Sequence, residues 1–157
     1  MSHILRFFQV FALGTWVGSI VYFVVVVTRG AFAVLTRDEA GLLVGFTLGG
    51  LHWLGVVAAL VYLVAAIGLG GSMRALVRPA ALCVGLMVLL TLAAQRIVIP
   101  RMDVLRVQVG SIDATPAGDP RRAEFDKLHG ISVDLEGGVL VIGLVALFLT
   151  VRSYQEG

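Results

Sequence analysis

Four long apolar runs, separated by short polar breaks, organise this chain: Phe7–Thr28, Leu42–Leu69, Val77–Ile99 and Ile131–Val151. Helix rises 1.5 Å per residue, so about 20 residues cross the roughly 30 Å hydrocarbon layer of a bilayer. Each run is long enough. None shows the alternating ten-residue pattern of an outer-membrane barrel, and all are too long for ordinary sheet strands. The pattern predicts an all-α integral membrane protein. Its expected architecture is a four-transmembrane-helix bundle over residues 5–151, with a long polar connection, residues 101–127, between helices three and four.

The breaks carry their own signals. Ala31–Arg37 reads as a short interfacial continuation of the first helix, before Asp38 and Glu39. The second helix is expected from about Ala40 to Leu69, with Gly68, Gly70 and Gly71 ending it. Pro79 suits the first turn of the third helix, and Pro100 is expected to bend or stop that helix. Arg101–Val109 can extend it as a kinked piece outside the membrane. Ser111–Asp119 is turn-rich, and Pro120–Leu128 reads as a short helix leading into the fourth span.

Only 14% of the residues are charged and 59% are hydrophobic, too little polar surface to enclose the apolar residues in one soluble core. Membrane lipids are therefore the expected partner. The net charge of +2 is scattered, and Arg121–Arg122 lies among Asp119, Glu124 and Asp126. With no dense basic tract, nucleic acid is not an expected partner. Arg74 and Arg78 suit lipid headgroups or a cytoplasmic loop. Cys83 is alone, which excludes an internal disulfide and a cysteine-pair zinc site. The first apolar run exceeds a signal-peptide core and has no convincing cleavage site after it, so it reads as a retained helix.

Glycine spacing suggests close packing at two places. Gly14 and Gly18 form a G-x-x-x-G pair, open to packing within the monomer, to a homo-oligomer through a glycine-rich face, or to ligand access. Trp16 lies between them and reads equally well as lipid-facing bulk. Gly41, Gly45 and Gly49 recur every four residues, and His52 and Val56 continue broadly along that face.

Candidate chemistry gathers on one side. Helices one and three finish where helices two and four begin, and this long-loop side holds most of the polar residues. His52 is about 15 Å along the second helix and Glu136 about 12 Å along the fourth, by helical rise. His129, Ser132 and Glu136 share an i, i+3, i+7 face, whereas Asp134 points elsewhere and suits Arg96 or Arg101. A carboxylate in hydrocarbon calls for a partner, so Glu136 is a structural ion-pair member, a ligand or metal group, or a proton carrier. His52, His129 and Glu136 supply three donors for a metal ion, with water completing the site. Arg96, Arg101, Ser132 and Glu136 are the candidate ligand-binding set. Arg96 also suits pairing with Glu136, Asp134 or Asp103.

The segment Gln95-Arg96-Ile97-Val98-Ile99-Pro100-Arg101-Met102, followed by Arg122 to Ser132 with Phe125 and His129, resembles a bacterial family of unknown function, DUF4149, also described as transmembrane protein 205-like. Leu13 to Gly18 and Val27 to Phe32 support the resemblance, which covers roughly residues 5–150. It implies a four-helix membrane unit, with a polar signature falling here on Arg96, Pro100, Arg101, Phe125, His129 and Ser132. A broader set including copper-resistance D proteins and a haem-associated protoporphyrinogen oxidase type is similar, and loosely aligns His52 with a ligand-bearing position. Asp134 and Glu136 stand where neutral or amide residues are expected.

These readings lead to an expectation of a small multi-pass protein of the bacterial inner membrane. It would bind, or help to move, a small ligand or metal ion through a polar site in one leaflet. The alternatives are a haem-linked membrane oxidoreductase, with His52 or His129 as axial ligand to non-covalent haem and Arg96 on a propionate, and a structural or assembly protein.

Overall fold

The computed structural model describes residues 2–155, and it holds four helices long and apolar enough to cross a membrane: α1, Ser2–Val34; α2, Arg37–Gly70; α3, Pro79–Val109; and α4, Pro120–Gln155. Among the described residues there are no strands. Each helix contacts two neighbours in a ring, α1 on α2, α2 on α3, α3 on α4 and α4 on α1. The fold is the expected helical bundle of a multi-pass integral membrane protein. Its outer surface is apolar: Phe46, Val57 and Leu60 on α2, Leu82 and Leu89 on α3, and Val141 and Phe148 on α4 are all exposed. Side chains of this kind left outward are stable where the solvent is lipid.

Helix ends follow the local sequence. Thr36 caps α2, its hydroxyl accepting from the Glu39 backbone N–H while the Glu39 carboxylate accepts from the Thr36 N–H, a reciprocal box that satisfies two otherwise orphaned donors. Gly71, at φ 65°, ends the same helix in the left-handed region that glycine enters freely. A short 3₁₀ turn, Met73–Val77, then leads to Pro79 in the first turn of α3.

Pro100 does not stop α3. Residues Ala94–Val98 open into a π-helical turn, and the Ile99 N–H reaches back to the Ala94 carbonyl. Proline has no N–H to offer the Arg96 carbonyl, and the wider turn takes up that missing bond while the helix continues to Val109. A second π-helical stretch, Phe23–Thr28, lies within α1. α4 likewise begins at Pro120 and runs unbroken, so only residues 110–119 of the expected polar connection are non-helical. The extended ends of α3 and α4 pack on each other through Val98, Leu105, Phe125 and Leu128, a small core apart from the main one. The connection is tied to the start of α2 by the Arg37–Asp113 ion pair at 3.2 Å and by the Ser111 hydroxyl donating to Asp38.

The main core is built on Trp16, Leu13, Ile20, Val84, Met87, Val139 and Ala146. Trp16 is 1% exposed, so it faces the bundle rather than lipid. Gly55 makes the room: a methyl group there would collide with the Trp16 indole, and one at Gly143 would come within 2.7 Å of Val17. The glycines singled out by spacing behave differently. A methyl group on Gly14 or Gly18 would meet no other side chain within 4 Å, and one on Gly41 or Gly45 would meet only the end of the Arg106 side chain of α3.

Candidate functional site

A polar set spans the bundle diagonal from α2 to α4 and recruits α3. His52 is 3% exposed. Its Nε2 is 3.2 Å from Glu136 Oε2, and its Nδ1 is 2.7 Å from Gln95 Oε1. The Glu136 side chain is 12% exposed. By helical rise, His52 is about 22 Å along α2 and Glu136 about 24 Å along α4 from their long-loop ends. Exposed apolar residues flank both levels, Phe46 and Val57 on α2, Val133 and Val141 on α4. The set therefore lies inside the apolar belt.

Its helices place each group for identifiable reasons. His52 is one turn before Gly55, and the close approach of α1 at that glycine holds α2 firmly. Gln95 belongs to the π-helical turn, whose extra residue resets which side chains face inward. Glu136 is one turn after the buried Ser132 and one before Leu140, which packs against the core.

The arrangement can hold an exchangeable proton between the imidazole and the carboxylate. With Gln95 Oε1 accepting, Nδ1 carries a hydrogen. Nε2 then either donates to the Glu136 carboxylate as an imidazolium or accepts from a protonated Glu136. Both forms leave the pair neutral as a whole. That matters because a lone charge in the hydrocarbon layer is costly, whereas a hydrogen-bonded opposite pair is tolerated. Asn or Gln in place of Glu136 would remove this freedom.

Other sequence candidates fall outside the set. His129 is exposed, and among the described residues no group of three or more His, Cys, Asp or Glu side chains converges on a possible metal. The three-donor site of His52, His129 and Glu136 is thus not assembled. His129 is seven residues before Glu136, but the long straight α4 carries it about 10 Å toward the loop, beyond the reach of His52. Haem fits no better at His52, where both ring nitrogens are engaged and the space beside the ring is water-sized. Arg96, Arg101 and Asp134 are exposed and make no ion pair with each other or with Glu136. Arg96 does line a small cavity of about 10 Å³ beside His52, together with Trp53, Val56, Thr91, Leu92 and Gln95.

Gln95 and Thr91 were not singled out from the sequence. They are polar residues in the apolar stretch 79–95 of α3, four positions apart, and that i, i+4 spacing is the signal that could have found them. Elsewhere, a groove of about 470 Å³ between α1 and α2 is lined by Gly14, Gly18, Ser19, Phe23, Thr47 and Leu51.

A family model described as a domain of unknown function (DUF4149) matches residues 11–111. The matched segment contains His52, Thr91, Gln95 and Arg96 and stops before α4, which carries Glu136. No curated protein and no solved structure matches the chain.

Proposed function

The chain belongs to the DUF4149 family, and on that footing we propose that this multi-pass membrane protein, residing in the bacterial inner membrane, binds and helps to move a small cationic ligand in exchange for the proton of its His52–Glu136 pair. One observation carries the reading, the buried 3.2 Å contact between a histidine and a carboxylate inside the apolar belt. A cation arriving at Glu136 takes the place of the shared proton, so the site stays near neutrality whether loaded or empty. Gln95 keeps the neutral imidazole oriented while this happens. The metal-ion form of the expectation has lost His129 as a donor, so the proposal rests on Glu136 as the cation's partner.

The test uses purified protein in lipid nanodiscs in weakly buffered solution. Guanidinium, tetramethylammonium and tetraphenylphosphonium are titrated in turn while heat and released protons are recorded. At least one should bind with release of about one proton, as the linkage of a shared proton requires. His52→Ala and Glu136→Gln should abolish that release. The reading is overturned if none of the three binds, or if release persists in both variants.

A second reading, assembly through α1, is favoured by the open Gly14–Gly18 face on the 470 Å³ groove. Gly14→Leu with Gly18→Leu should then shift the oligomer distribution measured by single-molecule photobleaching in bilayers. An unchanged distribution removes it.

A further inference from the structure

Apart from Arg78 at the start of its helix, the four apolar runs contain three charged residues, Arg96, Asp134 and Glu136. Glu136 turns inward to His52. Arg96 and Asp134 do not. Both are exposed on the outside of the bundle, and among the described residues neither side chain has a hydrogen bond or an ion pair. Exposed apolar neighbours flank each of them, Leu89 and Ile97 on α3, Val133 and Val141 on α4. A charge facing hydrocarbon calls for a partner. Arginine has a long stem and can carry its head toward the headgroups. Aspartate, with one methylene, has no such reach.

The stripe of α4 that presents Asp134 is uncovered. Gly130, Asp134, Gly137, Val141, Leu144 and Phe148 follow one another at alternating spacings of four and three, and all are exposed. That alternation is the repeat by which one helix packs along another. A methyl group on Gly130 or Gly137 would meet nothing within 4 Å, so no part of the same chain fills the space beside the carboxylate.

Depth and charge together identify what covers it. Arg96 is about 20 Å along α3 from its long-loop end, and Asp134 about 21 Å along α4 from its own, by helical rise. Copies of one chain inserted in the same direction meet only through residues at equal depth. Arg101, also exposed, is about 12 Å along α3 and so lies too shallow. We propose that two copies of this chain pair about a two-fold axis along the bilayer normal, the Arg96 guanidinium of each meeting the Asp134 carboxylate of the other. Two-fold symmetry forms both ion pairs at once and closes the assembly at two. The charges then face each other instead of lipid. This interface goes beyond the function proposed above, and it uses neither the His52–Glu136 pair nor the Gly14–Gly18 face.

Charge exchange tests this in the full chain, by two-colour single-molecule photobleaching in bilayers at falling protein-to-lipid ratios. Wild type should be dimeric. Arg96→Glu sets carboxylate against carboxylate at both contacts, and Asp134→Arg sets guanidinium against guanidinium. Like-charge contact is costly, so each variant alone should dimerise about a hundredfold more weakly or worse. Mixed together, one copy of each restores both opposite-charge contacts, and two-coloured dimers should return. That rescue also shows that both variants fold. A chain carrying both exchanges should dimerise with itself. A monomeric wild type, undiminished dimers in either variant alone, or no two-coloured dimers on mixing overturns the inference. Undiminished dimers that are lost in Gly14→Leu with Gly18→Leu would place assembly on α1 instead. Loss in Arg96→Glu alone would assign that guanidinium to a lipid phosphate, and it overturns the inference equally.

Discussion

Two polar clusters cross the same α2–α4 diagonal, and they differ in kind. Toward the chain termini, the Tyr62 and Thr150 hydroxyls are 2.8 Å apart, Thr150 donates on to the Ala146 carbonyl, and nearby the Tyr154 hydroxyl donates to Gln9 Oε1 at 2.5 Å. Toward the long loop, His52 joins Gln95 and Glu136. The first cluster is neutral, and its hydroxyl chain ends on a backbone oxygen, so it has one protonation state and works as a clamp. The second contains two ionisable groups in contact at 3.2 Å, with a water-sized space and an unsatisfied hydroxyl beside it. A bundle that needed only rigidity could have used two clamps. The ionisable cluster costs desolvation that the neutral one avoids, and this difference is the physical reason to place function on the long-loop side.

The most damaging test of that contrast is Glu136→Ala. It leaves His52 without its carboxylate and should cost about 3–5 kcal/mol in a reversible unfolding assay in lipid, as breaking a buried pair does. Glu136→Gln, which keeps a hydrogen-bond acceptor, should cost clearly less. If both variants are as stable as wild type, the two clusters do not differ as argued. Next in size is the layer between them. Gly55→Ala drives a methyl group into the Trp16 indole and should destabilise by about 1–3 kcal/mol as overpacking. Gly14→Ala, with open space around it, should be near neutral by the same thermal-melt comparison.

The clamp itself should be worth less. Tyr62→Phe removes one hydroxyl while Thr150 keeps the Ala146 carbonyl, so about 0.5–1.5 kcal/mol is expected, with no effect on proton exchange at His52. A change in that exchange would show the clusters to be coupled. The smallest effect belongs outside the membrane. Asp119, just before α4, accepts hydrogen bonds from the Arg121 side chain and backbone, and these hold its carboxyl down at about 2. Because its folded value is depressed, its contribution is full above the ordinary carboxylate range and fades as pH falls toward about 2. Asp119→Asn should lower stability slightly at neutral pH, leave it nearly unchanged near pH about 2, and so flatten that acid limb of a stability–pH curve.

Much of this was legible in the residues. The runs around Gly14, Gly55, Gly85 and Gly143 announce four spans, and Gly71 and Pro79 mark a turn where one occurs. The spacing also brought His52 and Glu136 to similar depth, which the 3.2 Å contact bears out as geometry. Other features were not legible. Nothing in the string says that Pro100 will be bridged by a π turn, because that depends on which neighbours hold α3 straight. G-x-x-x-G spacing pointed to Gly14 and Gly18, yet the close helix approach is at Gly55, where a bulky Trp16 from another helix meets it. His129 shares a helical face with Glu136, but a shared face is not shared depth.

Sequence alone determined the solvent of this protein, its four passages through lipid and the side on which its ionisable residues lie, because hydropathy and helical rise act locally and add along the chain. The tertiary structure decided which of those residues meet. A hydrogen bond across 84 positions from His52 to Glu136 depends on the order of the helices in the ring, their rotation and the extra residue of a π turn. Those are settled only when whole helices pack against one another.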